Sequence, residues 1–252
     1  MLLALKDTII YGPVNSRRLG RSLGINILPP GQKTCTFNCV YCQYGWTDYH
    51  CLAEKDNLSW PSTKEVEDAL AGALARLHIP PAYITFSGNG EPTLHPCYPE
   101  IVVAVKKVRD RLAPDAQVAV LSNSTLTGDP DIQKALAQLD RRIMKLDCGH
   151  ESTFARYNKP FTGIEEEAIV NGLAQLEDIT IQALFSGGEA GNVADAAVDA
   201  WVERLNILRP SHVQIYTLDR DAPAKKLVPA LESDLQKIEC LVKKARIPVS
   251  IY

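Results

Sequence analysis

Ser22-Leu23-Gly24-Ile25-Asn26-Ile27-Leu28 runs into Pro29-Pro30-Gly31 and, two residues later, Thr34-Cys35-Thr36-Phe37-Asn38-Cys39-Val40-Tyr41-Cys42. The first seven residues read as a short buried strand, and the Pro-Pro-Gly turn ends it. The cysteines therefore sit just beyond the C-terminal end of a strand. Outward from this point the chain alternates. Residues 63–77 read as a helix that Ser62 or Thr63 can cap, with Glu65 and Glu67 near the positive end of its dipole. Strands follow at 82–86, 117–121, 142–146, 179–185 and 212–216, with a short final strand at 248–252. Helices are expected at 98–112, 131–139, 165–176, 193–208 and 231–245. Apolar runs of about five residues separated by helical periods predict parallel strands with crossover helices. Six βα units in succession fit either a partial α/β barrel or an open doubly wound sheet. Both place the chemistry at the C-terminal ends of the strands.

The chain has 252 residues, of which 46% are apolar and 23% charged, with a formal net charge of −3. That balance argues against a wholly basic nucleic-acid-binding surface but leaves local patches open. Three basic groups stand out: Arg17, Arg18 and Arg21; Arg141, Arg142, Lys145, Arg156 and Lys159; and Arg220, Lys225 and Lys226. If they shared one mouth they would suit phosphates. The first ten residues do not read as a signal peptide, and no run approaches the 18 or so apolar residues of a membrane span. Seven cysteines, three of them within eight positions, do not resemble a disulfide framework. The expectation is one domain over residues 1–252, in a reducing cytoplasm and away from membranes.

Cys35, Cys39 and Cys42 are spaced C-x3-C-x2-C. Three thiolates can hold three irons of a [4Fe–4S] cubane and leave the fourth iron open to a ligand. The competing reading is a structural zinc, with His50 or Cys51 as fourth ligand. Phe86-Ser87-Gly88-Asn89-Gly90-Glu91-Pro92-Thr93-Leu94 follows the second strand and reads as a glycine turn presenting backbone groups to a charged ligand. Leu121-Ser122-Asn123-Ser124 closes the third strand with short polar side chains. Met144-Lys145-Leu146-Asp147 ends the fourth, with Lys145 and Asp147 on the same side. The pair could bind each other, a carboxylate or a substrate. Asp219 and Arg220 follow the sixth strand.

This C-x3-C-x-aromatic-C loop, with Tyr41 in the aromatic position, resembles the signature of the radical S-adenosylmethionine (SAM) superfamily. The resemblance implies a partial (β/α)6 TIM-like barrel of parallel strands, with Cys35, Cys39 and Cys42 as cluster ligands and Tyr41 along the adenine of SAM. It implies that Gly88, Asn89, Gly90 and Glu91 stand where the family binds the SAM amino group, with Asn89 replacing a glycine. Ser122 and Asn123 would meet the ribose. Lys145 and Asp147 join the cysteines as candidate catalytic residues. The opening Gly12-Pro13-Val14-Asn15-Ser16-Arg17-Arg18-Leu19-Gly20-Arg21-Ser22-Leu23-Gly24 resembles small proteins grouped with the tRNA wyosine synthases, although no cysteine precedes Cys35 here to hold their second cluster. What the family implies is reductive cleavage of SAM to a 5′-deoxyadenosyl radical, fed by a ferredoxin or flavodoxin-type electron donor. The substrate would be a tRNA base or, alternatively, a peptide or protein. A non-catalytic zinc- or Fe–S-binding module is the reading from another class.

Overall fold

The computed structural model describes residues 2–50 and 58–252. Strand β1 (Ile10–Ser16) turns back as β2 (Gly20–Ile25), antiparallel to it. From β2 onward every strand of the main sheet runs parallel to its neighbour: β3 (Tyr83–Phe86), β4 (Gln117–Ser122), β5 (Arg141–Lys145), β6 (Ile179–Leu184), β7 (His212–Tyr216) and β8 (Val249–Ile251). Spatial order equals chain order, as in a sheet wound in one direction.

The crossovers are helices α1 (Thr63–Arg76), α2 (Tyr98–Leu112) and α3 (Pro130–Ala137), the pair α4 (Glu151–Tyr157) and α5 (Glu166–Leu173), then α6 (Asp195–Leu208) and α7 (Glu232–Lys244). These are the six expected βα units and the short last strand. Ser62 caps α1 through the Glu65 backbone N–H (3.2 Å), while the Glu65 carboxylate accepts the Ser62 N–H (2.7 Å), a reciprocal capping box. Val66, Leu70 and Leu74 recur at helical spacing and bury one face of α1. The helix-covered side of the sheet is apolar, whereas the inner side buries polar groups that pair with one another, Ser22 with Thr85 and Gln182 with Gln214. Ile84, Val118, Val120, Met144, Ile181, Val213 and Ile215 are all buried. No helix among the described residues is long and apolar enough to cross a membrane.

Two features went unread in the sequence. β1 pairs along its length with β2, with an irregularity between Tyr11 and Val14. α4 is a single short helix inserted after β5. Both matter to the site. The turn after β1 touches the far side of the sheet, since Arg17 pairs with Asp219 (3.1 Å) and the Arg18 guanidinium lies 4.4 Å from the Tyr216 ring centre at the end of β7. The hairpin thus links the first edge of the sheet to the end of β7 across one cavity.

Candidate active site

The cysteine loop is pinned from two sides. On one side it crosses the glycine turn: Thr34 N–H donates to Asn89 O (2.8 Å) and Glu91 N–H to Thr34 O (3.1 Å). A Cβ on Gly90 would lie 1.7 Å from the Thr34 carbonyl oxygen, and its φ is +142°, so only glycine fits this crossing. On the other side the loop meets the end of α4. Asn38 N–H donates to the carbonyls of Asn158 and Lys159 (both 3.0 Å), and Val40 N–H to Tyr157 O (3.0 Å). Phe37 packs edge-on against Phe154 with ring centres 5.3 Å apart.

The three thiols share this loop. Cys35 is buried, and Cys39 and Cys42 are half-buried. Burial pushes the Cys35 thiol up to about 12 and the Cys39 thiol up to about 11, so any ion they bind must displace protons. Each sulfur has a nitrogen donor near it. Asn123 Nδ2 approaches Cys35 Sγ (3.5 Å) and Asn158 Nδ2 approaches Cys39 Sγ (3.5 Å). Lys33, only 2% exposed, lies beside Cys42 and donates from Nζ to Gly45 O (2.7 Å). Burial works against its charge, but Cys42, Cys35 and Cys39 outweigh burial and hold the ammonium above its ordinary range. A buried ammonium is costly without a counter-charge, and among the described residues none makes an ion pair with Lys33. Thiolates bound to iron would supply that charge, so the donor set fits a cluster. Cys51 lies outside the described residues, as does the side chain of His50.

Asn89 departs from glycine for a visible reason. Fully buried, it accepts the Lys6 N–H at Oδ1 (2.7 Å) and donates from Nδ2 to Lys6 O (2.8 Å) and Pro29 O (3.3 Å). It ties the N-terminal segment to the turn. Gly88, at φ +130°, packs against the Asn26 side chain. Glu91 is 1% exposed, and four donors already fill its carboxylate: Thr93 N–H (3.0 Å), Thr93 Oγ1 (2.6 Å), Ser122 Oγ (2.9 Å) and Asn123 N–H (2.5 Å). It braces the glycine turn against the end of β4. Ser122 spends its hydroxyl on that brace, and Asn123 spends its amide on Cys35 and Thr36.

Asp147 is a second buried hub. Its carboxylate accepts from Lys145 Nζ (2.8 Å), Leu184 N–H (2.8 Å), Asn158 Nδ2 (2.8 Å) and the Tyr41 hydroxyl. The Tyr41 ring is thereby fixed from its far end. Lys145 Nζ also donates to Tyr216 Oη (3.0 Å) and lies 4.9 and 5.0 Å from the ring centres of Tyr41 and Tyr216. Burial opposes its charge, yet Asp147 more than compensates and holds the ammonium above its ordinary range. Of the alternatives open in the sequence, the ion pair is the one that forms.

These elements surround a cavity of about 570 Å³ whose wall includes Tyr41, Cys42, Ser87, Leu121, Lys145 and Tyr216. Arg17, Arg18 and Arg220 also line it. Of the other basic residues, Arg142 is spent on helix-end carbonyls, Arg156 on Gly191 O, and Lys226 on Glu189. Gly88, Asn89, Gly90, Glu91, Ser122 and Asn123 stand behind the wall and shape it. Sequence reading missed Lys33, Asn158 and Tyr216, whereas the placing of Arg17 and Arg18 at a shared mouth agrees with the cavity they line. Tyr216 carried a usable signal, since it ends a parallel strand as Lys145 does. Asn158 carried none, because it follows a helix that was not expected.

The sequence profile of the radical SAM superfamily matches residues 30–209. A UPF0026 protein of Synechocystis sp. is 33% identical over 86% of this chain and 78% of its own length. Among solved structures, a radical SAM methyltransferase from Sphaerobacter thermophilus superposes with a TM-score of 0.64 at 16% identity, covering 92% of this chain and 65% of that one. TYW1, in a structure with a lysine–pyruvate adduct bound, gives 0.63 at 18% identity, covering 89% of this chain and 73% of that one. At those identities the two structures speak for the fold alone.

Proposed function

This chain belongs to the radical SAM superfamily, and on that footing we propose that it is an enzyme holding one [4Fe–4S] cluster on Cys35, Cys39 and Cys42, with SAM at the open iron. When bound, the cluster and SAM would supply a 5′-deoxyadenosyl radical that takes a hydrogen atom from the substrate. The observation that carries this reading is the cysteine loop itself. Its three sulfurs share one pinned loop with nitrogen donors beside them, and Cys42 and Tyr41 face the cavity.

The remaining residues bind and orient. Tyr41, held by Asp147, presents a fixed ring on which an adenine can lie. The turn Gly88–Glu91 shapes the wall where the SAM amino group would sit, with Glu91 acting as the brace that holds it. Lys145, balanced by Asp147, adds an ordered cation to the wall. Arg18 reaches into the cavity from the β1–β2 turn, and its Nη1 is buried with no hydrogen-bond partner among the described residues. That favours a substrate with an anionic group, so a tRNA base ranks before a peptide or protein. A ferredoxin or flavodoxin-type donor in a reducing cytoplasm completes the reading.

Titrating SAM calorimetrically into anaerobically reconstituted variants tests the pocket. Glu91→Ala is expected to lose about tenfold or more in affinity, about 1.4 kcal/mol, and Lys145→Met less than about threefold. A larger loss for Lys145→Met, with its cluster intact, would make Lys145 the anchor of the SAM carboxylate.

A further inference from the structure

We propose that Lys33 and Asn158, with Asn123 beside them, set the reduction potential of the cluster held by Cys35, Cys39 and Cys42. The inference rests on the cluster reading above and goes beyond it, because it assigns a role to side chains that ligate nothing.

The geometry gives two of the sulfurs an amide donor and the third a neighbouring cation. Asn123 Nδ2 serves Cys35 and Asn158 Nδ2 serves Cys39, each at 3.5 Å, and Lys33 stands beside Cys42. Asn158 is 2% exposed and held rigidly: its Nδ2 also donates to Asp147 (2.8 Å), and its Oδ1 accepts from Cys148 Sγ (3.4 Å). Lys33 is equally buried, and its ammonium is otherwise engaged by a neutral carbonyl, that of Gly45. Adding an electron to a thiolate-ligated cluster increases negative charge at the sulfurs. Donors aimed at sulfur, and a cation held out of water, stabilise the reduced form more than the oxidised one. The full charge on Lys33 acts more strongly than either amide, because little solvent screens it. Lys33, Asn123 and Asn158 are therefore positioning and tuning groups rather than catalytic residues.

The test is a mediated redox titration of the reconstituted full chain without SAM, with the reduced cluster read by low-temperature paramagnetic resonance. Lys33→Met is expected to lower the ratio of reduced to oxidised cluster about tenfold at a given applied potential, equal to about 59 mV for one electron. Lys33→Arg keeps the charge and is expected to stay within about threefold of wild type. Asn158→Leu is expected to shift the ratio in the same direction as Lys33→Met, by less. If Lys33→Met fails to load iron, Lys33→Gln and Asn158→Leu carry the measurement. Unchanged ratios in the loaded variants, or equal shifts for Lys33→Met and Lys33→Arg, would overturn the proposal. Wild-type protein that takes up no iron would instead overturn the cluster reading beneath it.

Discussion

Replacing Cys35, Cys39 or Cys42 by alanine is expected to abolish the cluster, whereas Cys97→Ala and Cys240→Ala should keep about four irons per chain. The difference follows from ligand arithmetic and position. A cubane left with two protein thiolates has lost a ligand for which the described part of the loop offers no replacement. The nearest described cysteine to compete, Cys148, is buried against Asn158 behind the loop and has its thiol turned to that amide. Cys97 and Cys240 are exposed, one preceding α2 and the other within α7. Iron and sulfide analysis after anaerobic reconstitution gives the answer directly. Full iron in any of the three loop variants would contradict the assignment, and about eight irons in the wild type would point to a second cluster.

The second large effect is on stability. Asp147→Ala is expected to cost about 3–5 kcal/mol, because it leaves Lys145 charged, 17% exposed and without its counter-ion. It also strips an acceptor from Leu184 N–H, from Asn158 and from the Tyr41 hydroxyl. Asp147→Asn retains the shape and part of the bonding but cannot balance the ammonium, so it should fall between wild type and Asp147→Ala. The pH dependence has a definite sign. The folded state raises the Lys145 pKa, so the pair's contribution is complete below the ordinary lysine value of about 10.4. It disappears as pH rises through the higher folded value. Urea denaturation should therefore show a constant gap between wild type and Asp147→Ala from pH 7 to 9, narrowing only in strong alkali. Equal midpoints at pH 7 would remove Asp147 from its place at the centre of the site.

The two hubs explain which parts of the site could be read in advance. The βα alternation was legible because periodicity is local: five apolar residues make a buried strand and i, i+4, i+8 makes a helix face, as Val66, Leu70 and Leu74 do. The cysteine loop and the glycine turn were legible because their spacing is itself the chemistry. The strand Ile10–Ser16 was not, since Gly12, Pro13 and Asn15 interrupt its pattern and its pairing with β2 is what holds it. The helix Glu151–Tyr157 was too short and too polar to stand out, and with it Asn158 was lost. The roles of Glu91 and Asp147 were hidden for a related reason. Most of the partner residues of Glu91 come from the end of another strand, so a motif can single out Glu91 without revealing that Ser122 and Asn123, with its neighbour Thr93, already occupy the carboxylate. Asn89 shows the converse: a departure from the family's glycine becomes intelligible once Lys6 is seen to bond with it.

The most direct test of the account is to incubate anaerobically reconstituted protein with SAM and dithionite and to measure 5′-deoxyadenosine by mass spectrometry. The account predicts 5′-deoxyadenosine and methionine from the wild type, and neither above background from Cys39→Ala. Protein that carries zinc in place of iron, or a full cluster that binds SAM and never yields 5′-deoxyadenosine, would contradict it.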